Sequence, residues 1–324
     1  MLPVLFKIGP LTINSFGVMA MLGFLIPTLL MRKELVRFKL DPELANGIAV
    51  AAMIGGFLGA RIYFIAERWH LFISDPANSF GMKALIFLLI LAFFVRKVAL
   101  MKGKHPNSAD VAALVTVIGG LVASQIYYVN AHDPRTWSQF MQSPANLIYT
   151  GAGLVWYGGF IGGFIAVSRY VHNHNIAIPL ICDILAPLLA LGQTFGRMGC
   201  LLSGDGDYGP PADVPWAMAF PKGVVPTTER VHPTPIYDMI FLITIFTVLW
   251  KIRKKPLPTG FKFSLYLIMV GTERIITEFF RNTPKVFLGL TMAQIISICA
   301  ILVGTSWILI LKTNALKTSN LKAS

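Results

Sequence analysis

The sequence predicts an all-α, polytopic membrane protein with about nine transmembrane helices. Three observations predict it. Of its 324 residues 55% are hydrophobic, and the mean hydropathy is +0.66. Only 13% are charged, about half the share usual in a soluble domain. The apolar residues fall in about nine continuous runs near the roughly 20 residues that a helix needs to cross a bilayer. Barrel strands would alternate apolar and polar instead.

The spans are expected at 14–31, 46–66, 82–99, 110–129, 152–170, 179–197, 236–250, 260–280 and 289–311. Together they read as one transmembrane domain over 1–324. A cleaved signal peptide is excluded for the first run, because the basic residues of MRKELVRFK follow it rather than precede it. Loops after odd-numbered spans carry MRKELVRFK, VRKVALMKGK, SRY and KIRKK, and the tail carries Lys312, Lys317 and Lys322. Most of the 28 Lys and Arg therefore lie on one side, which the positive-inside rule makes cytoplasmic. The N-terminus is then outside and the C-terminus inside. The net charge of +13 is topological, so nucleic acid is a poor partner.

A repeat relates IGGFLGARIYF (54–64) to IGGLVASQIYY (118–128), and DPANSF (75–80) echoes SPANLI (143–148). Shared use of small residues for helix packing explains it, and so does a local duplication that added two spans. Gly158 and Gly162, and likewise Gly159 and Gly163, have small-xxx-small spacing, which serves close packing or leaves room for a lipid chain. Cys182, Cys200 and Cys299 lack metal-ligand spacing, and the first and last read as core filler.

Ionisable residues inside spans are costly and mark function by default. Arg61, Arg197 and Arg274 come from three spans and fall at similar depth toward the outer side. Separate snorkelling to the headgroups would explain each one alone. Together they suit an anion site for a lipid phosphate, which guanidinium binds bidentately. In GTERIITEFFR (271–281), Arg274 and Glu278 are four apart on one helical face. Glu278 either holds Arg274 or accepts a glycerol hydroxyl. Glu273 lies on another face and reads as a packing partner.

The segment 198–235 is expected to be an outer-face loop, and loops that long are usually functional. It opens within GRMGCLLSGDGDYG (196–209), whose glycines permit close backbone approach. Asp205 is suited to orient an arginine or accept a proton. The same two uses are open to Asp207, but in Asp-Tyr-Gly-Pro it reads rather as a surface turn. His232 before Pro233 reads as a helix-start contact, with base or phosphate ligand as the other reading. His172 and His174 read as a solvated cytoplasmic turn.

GRMGCLLSGDGDYG, VHPTPIYD and ERIITEFFRNTP, in that order, resemble the bacterial prolipoprotein diacylglyceryl transferase family. So do IGPLTINSFGVM (8–19), the GGxxGARIYF segment and VWYGGFIGG. The resemblance covers most of the chain except roughly 68–118, which looks like an insertion contributing extra spans. It implies a multi-pass enzyme of the bacterial cytoplasmic (inner) membrane. Such an enzyme moves the diacylglyceryl group of phosphatidylglycerol to the lipobox cysteine of a prolipoprotein signal peptide, releasing glycerol phosphate. Its partners are those two substrates and membrane lipids, and it needs no cofactor or metal.

By position, the resemblance makes Arg197 and Arg274 catalytic, with Glu278 one turn after Arg274 and Arg61 in support. Asp205, His232 and Tyr157 are the candidate bases, in that order. Gly196, Gly199, Ser203, Gly204, Gly158, Gly159 and Tyr237 join Arg61 and Glu278 in the substrate-binding set. The family signature reads G-R-x-G-N-F-x-N-G-E. Here Cys200 and Ser203 stand for the asparagines and Asp205 for the glutamate. Tyr157 stands for a histidine, and Phe16 and Val270 for tyrosines. These departures leave two alternatives open: a lipid-headgroup transferase with another acceptor, and a non-catalytic phospholipid-binding or transport protein.

Overall fold

A computed structural model describes residues 1–8, 11–67, 156–283 and 285–323. The expected spans at 82–99 and 110–129, the second copy of the repeat and the whole 68–118 insertion lie outside them. The chain divides into two compact units. One comprises Met1–Phe6, Ile13–Ala51 and Ala166–Ser324; the other comprises Lys7–Thr12 and Ala52–Ile165.

Strands β1 (Val4–Ile8) and β2 (Leu11–Asn14) lead into α1 (Ser15–Arg37). This helix runs six residues past the expected end, because MRKELVR consists of good helix formers. Helix α2 (Leu44–Glu67) passes from the first unit into the second, and α3 (Trp156–Asn173) passes back. Then come α4 (Ile178–Ser203), α5 (Thr234–Ile252), α6 (Phe261–Glu278) and α7 (Met292–Ala323). Two antiparallel ribbons interrupt them: β3 (Met218–Phe220) with β4 (Thr227–Val231), and β5 (Lys285–Phe287) with β6 (Leu290–Thr291).

In the first unit α4 is central. Helix α1 packs along one side of it, where Gly23 and Gly192 meet. Helices α5 and α6 pack on it as well, and α7 packs against α6. Met31, Leu35, Leu44, Ile48, Val171, Ile181 and Leu188 form one apolar core. Ala186, Ala190, Ile245, Leu249 and Tyr266 form another. Buried hydroxyls bond back to their own helices, as Thr194 does to Ala190 O (2.9 Å) and Ser297 to Ala293 O (2.7 Å). Within the second unit, α2 and α3 cross glycine to glycine. Gly159 rests on the Gly56 carbonyl and Gly162 on Gly55, which is the packing use of the small-xxx-small spacing.

Four described helices are long and apolar enough to cross a bilayer: α1, α4, α5 and Met292–Asn314 of α7. The protein is a helical membrane protein. Cys299 is exposed on α7 rather than filling a core, since that helix buries only the face turned to α6.

Where α4 begins, the charges lock the structure. Asp183 accepts the backbone N–H groups of Gly260 (2.8 Å) and Phe263 (2.9 Å), capping α6 from a neighbouring helix. Lys262 is buried beside it. Glu34 pairs with Arg37 and with Arg253 Nε (3.2 Å), and the Arg253 guanidinium lies 3.9 Å over the Trp250 ring.

Candidate functional site

The other end of α4 carries the site. The helix does not stop at Arg197 but continues to Ser203, so the first half of GRMGCLLSGDGDYG is helical. Gly199 belongs in that helix because Phe16 and Met19 of α1 press on it, leaving little space for a Cβ. Gly204 ends it in the left-handed conformation, φ +59°, which glycine adopts freely. The last carbonyls are then satisfied one by one. Gly204 N–H bonds to Cys200 O (2.9 Å), Leu2 N–H to Leu202 O (3.1 Å) and Val224 N–H to Ser203 O (2.9 Å). The Ser203 hydroxyl turns back to Cys200 O (3.2 Å).

Beyond the cap, 205–209 folds over the ends of α5 and α6. Gly209 lies so close to the Phe280 carbonyl that a Cβ would sit 2.0 Å from it. The Thr234 hydroxyl, fully buried at the start of α5, donates to Asp207 O (2.5 Å). These two contacts turn the Asp207 carboxylate toward the helices. It is therefore no surface turn, which corrects the sequence expectation. Arg197 and Arg281 both pair with it, and both reach Asp238 Oδ2, Arg197 through Nε at 2.9 Å and Arg281 through Nη2 at 2.5 Å. Two arginines and two aspartates thus form a closed square.

Arg274 stands beside the square, within electrostatic reach of Arg197, Arg281 and Asp238. Its Nη2 is 2.9 Å from Glu278 Oε2, near enough for an ion pair but not aligned as a hydrogen bond. Its Nη1 is buried and has no partner. Glu278 Oε1, Asp238 Oδ1 and Arg281 Nε are also buried without a hydrogen-bond partner, and Glu278 Oε2 has only the ion pair with Arg274. Among the described residues, every unpartnered buried side-chain N or O belongs to this cluster. Such atoms are costly, and here they mark a space built for polar groups from elsewhere. Glu273 is a second correction. It is buried in electrostatic contact with Asp238, Arg197 and Arg274, and the Thr277 hydroxyl lies 3.4 Å from it.

Two neighbouring carboxyls are shifted in opposite directions. For Asp205, burial is the largest influence and raises its pKa, with Asp207 adding to the rise against the Cys200 thiol that hydrogen-bonds it. Burial pushes Asp207 up as well, but Arg197, Arg281 and Arg274 outweigh it and hold the carboxyl below its ordinary range. Arg281 is raised, because Asp207 and Asp238 outweigh its burial.

His232 lies in an aromatic group with Tyr237 and Phe280. Trp216 Nε1–H donates to the Tyr237 oxygen (2.7 Å), and indole can only donate. The Tyr237 hydroxyl also hydrogen-bonds His232 Nδ1 (3.0 Å), which orients the imidazole ring. Arg230 fixes Trp216 from below by donating to Pro215 O (3.2 Å) and Ala217 O (3.1 Å).

The structure thus brings Arg197, Arg274, Glu278, Asp205, Gly199, Ser203 and Gly204 to one end of the first unit, with His232 and Tyr237 at its edge. Beside Gly196, no described atom lies within 4 Å of where a Cβ would stand. Gly159 serves helix packing in the second unit. Arg61 lies in α2, and Tyr157 and Gly158 in α3, but their side-chain surroundings lie outside the described residues. Arg281, Asp238 and Asp207 are the members that the sequence reading missed. Arg281 carried a signal, because 274, 278 and 281 repeat on one helical face.

A family model described as prolipoprotein diacylglyceryl transferase matches residues 3–84 and 69–310. A phosphatidylglycerol–prolipoprotein diacylglyceryl transferase of Clostridium tetani is 34% identical over 230 residues, covering 69% of this chain and 90% of its own. Its namesake in Leptospira interrogans serovar copenhageni is 27% identical over 332 aligned positions, covering 91% and 88%. The one in Mannheimia succiniciproducens is 28% identical over 327, covering 95% and 92%.

Proposed function

The chain belongs to the prolipoprotein diacylglyceryl transferase family, and from that premise we propose how it moves the diacylglyceryl group of phosphatidylglycerol onto the cysteine thiol of a prolipoprotein. The observation that carries the assignment of roles is Arg274. It keeps a buried, unpartnered N–H face beside two arginines already held by carboxylates.

The reaction needs a thiolate and a stabilised leaving group. The cysteine sulfur attacks the glycerol carbon that bears the phosphate. The C–O bond breaks, its electron pair leaves on the phosphate oxygen, and a C–S thioether forms. Negative charge gathers on the departing glycerol phosphate, where positioned guanidinium N–H groups stabilise it. Arg274 binds that phosphate. Arg197 and Arg281 are fixed by Asp207 and Asp238, and Arg281 keeps an unpaired buried Nε–H in the same cluster. Arg61 is assigned a supporting role from its position in the sequence alone. Glu278 orients Arg274 through Oε2, and its Oε1 suits a hydroxyl of the glycerol headgroup.

Asp205 takes the thiol proton. Its raised pKa makes it a better acceptor than an ordinary carboxylate, and it lies beyond the cap of α4 rather than inside the square. His232 has Nδ1 engaged by Tyr237, so Nε2 is the ring nitrogen it offers to substrate. Tyr157 remains the candidate contributed by α3.

We place the site on the outer face of the cytoplasmic membrane, in a nine-span chain with its N-terminus outside. The basic loops support this orientation. The acceptor cysteine is that of the lipobox.

An assay with phosphatidylglycerol and a lipobox peptide tests the reading by following glycerol phosphate release. Release is expected to need both the peptide cysteine and Arg274. Equal release from a Cys→Ser peptide, or from Arg274→Ala, would overturn it.

A further inference from the structure

We propose that the β5–β6 hairpin is a lipid-inserting wedge, its tip lodged between headgroups and upper acyl chains of the leaflet at the Arg274 end. The inference rests on α7 spanning a membrane and is independent of the transferase activity.

The first support is placement. Strand β6 runs straight into α7, whose apolar stretch begins at Met292. Lys312 is exposed near the far end of that stretch. The roughly 20 residues between them rise about 30 Å, the thickness of the hydrocarbon core. The hairpin therefore starts where the hydrocarbon ends, and it continues the lipid-facing surface of α7.

The second is the gradient of side chains. The base pairs exposed Lys285, able to meet headgroups, with Thr291, which is buried against the start of α7, and the tip pairs Phe287 with Leu290. Val286 is 60% exposed, Phe287 64% and Leu288 83%. Phe279, just past the end of α6, is 74% exposed as well. A contiguous apolar patch at the membrane boundary is an interaction surface. Polar at its root and apolar at its point, it fits the interfacial layer.

The third is the turn. Leu288 has φ +49° and Gly289 φ +73°. Two successive positive φ values make a turn that favours Asn-Gly, because the left-handed region crowds a leucine Cβ. A large apolar side chain thus occupies the most projecting position in a backbone shape that suits it poorly. Water gives no reason for that choice, whereas a lipid layer does.

The test replaces Leu288 by the photo-crosslinker benzoylphenylalanine in the full chain, reconstituted in vesicles of phosphatidylglycerol and phosphatidylethanolamine. The same replacement at Lys222, exposed beyond β3, is the reference. Irradiation should attach phospholipid at 288 about tenfold more than at 222. Equal yields would overturn the proposal, and so would a crosslinked dimer or a crosslink within the chain. Leu288→Asn guards against a folding artefact. Asparagine accepts the turn, so that variant should fold, and a crosslinker at Phe287 should then lose most of its lipid adduct. Undiminished adduct at 287 would also sink the wedge.

Discussion

The two ends of the first unit carry similar charges and treat them differently. Where α4 begins, Asp183 caps α6, Glu34 holds Arg37 and Arg253, and no buried side-chain atom of the group lacks a partner. Where α4 ends, three arginines and four carboxyls crowd together, yet five of their buried atoms have no hydrogen-bond partner. Burial and ion pairing are common to both clusters. What separates the structural cluster from the functional one is incompleteness: buried hydrogen-bonding capacity left unused among the described residues.

The largest effect that sharpens this comparison is expected from Asp238→Asn. It leaves Arg197 and Arg281 short of a buried anion, and breaking such a pair costs about 3–5 kcal/mol. Thermal unfolding in detergent reads it, and an unchanged Tm would deny the square its role. Arg274→Ala comes next. It leaves the square intact but strips buried Glu278 of its partner, so Tm should fall, though less than for Asp238→Asn, while kcat falls roughly 100- to 1000-fold, as for loss of one preorganised donor. Glu34→Gln is the converse at the other end. It should cost about 1–3 kcal/mol of stability and leave kcat unchanged. Loss of kcat without loss of stability would break the division between the two ends.

The smallest effects belong to the two aspartates beyond α4, and their signs differ. The folded-state pKa of Asp207 is depressed, so its contribution is present above the ordinary carboxyl pKa near 3.9 and lost as pH falls through the lower folded value. Between pH 7 and pH 3, wild type should therefore lose more Tm than Asp207→Asn does. Asp205 is raised, so its ionisation costs stability above its folded pKa. Asp205→Asn should be at least as stable as wild type at pH 7 while losing activity. An Asp205→Asn protein clearly less stable than wild type at pH 7 would reverse that sign.

The sequence carried the helices and one half of the site. Apolar runs announce α1, α4, α5 and α7, because a span's length and composition are set by the bilayer rather than by its neighbours. Arg274 and Glu278 were legible from their spacing, and Arg281 extends the same spacing. Asp207 was not. Asp-Tyr-Gly-Pro has the composition of any exposed turn, and what turns the carboxylate inward is the Thr234 hydroxyl and the fit of Gly209 on Phe280. Both are contacts across the fold, invisible to local pattern. The end of α4 was misplaced for a related reason. Glycine-rich sequence reads as loop, whereas Gly199 is needed where α1 presses on a continuing helix.

Helix α6 carries Lys262 at one end and Glu273, Arg274 and Glu278 toward the other, and it is not among the four helices apolar enough to span alone. That bears on how the chain is assembled. Each charged residue near the middle of a segment penalises its transfer from translocon to lipid. Alone, α6 would be held back. Helix α7, joined to it by a short ribbon and packed along it, is strongly apolar. The two are best inserted as a helical hairpin, α7 supplying the lipid affinity and α6 the arginine. Helix α6 then depends on α7 to hold Arg274 within the bilayer.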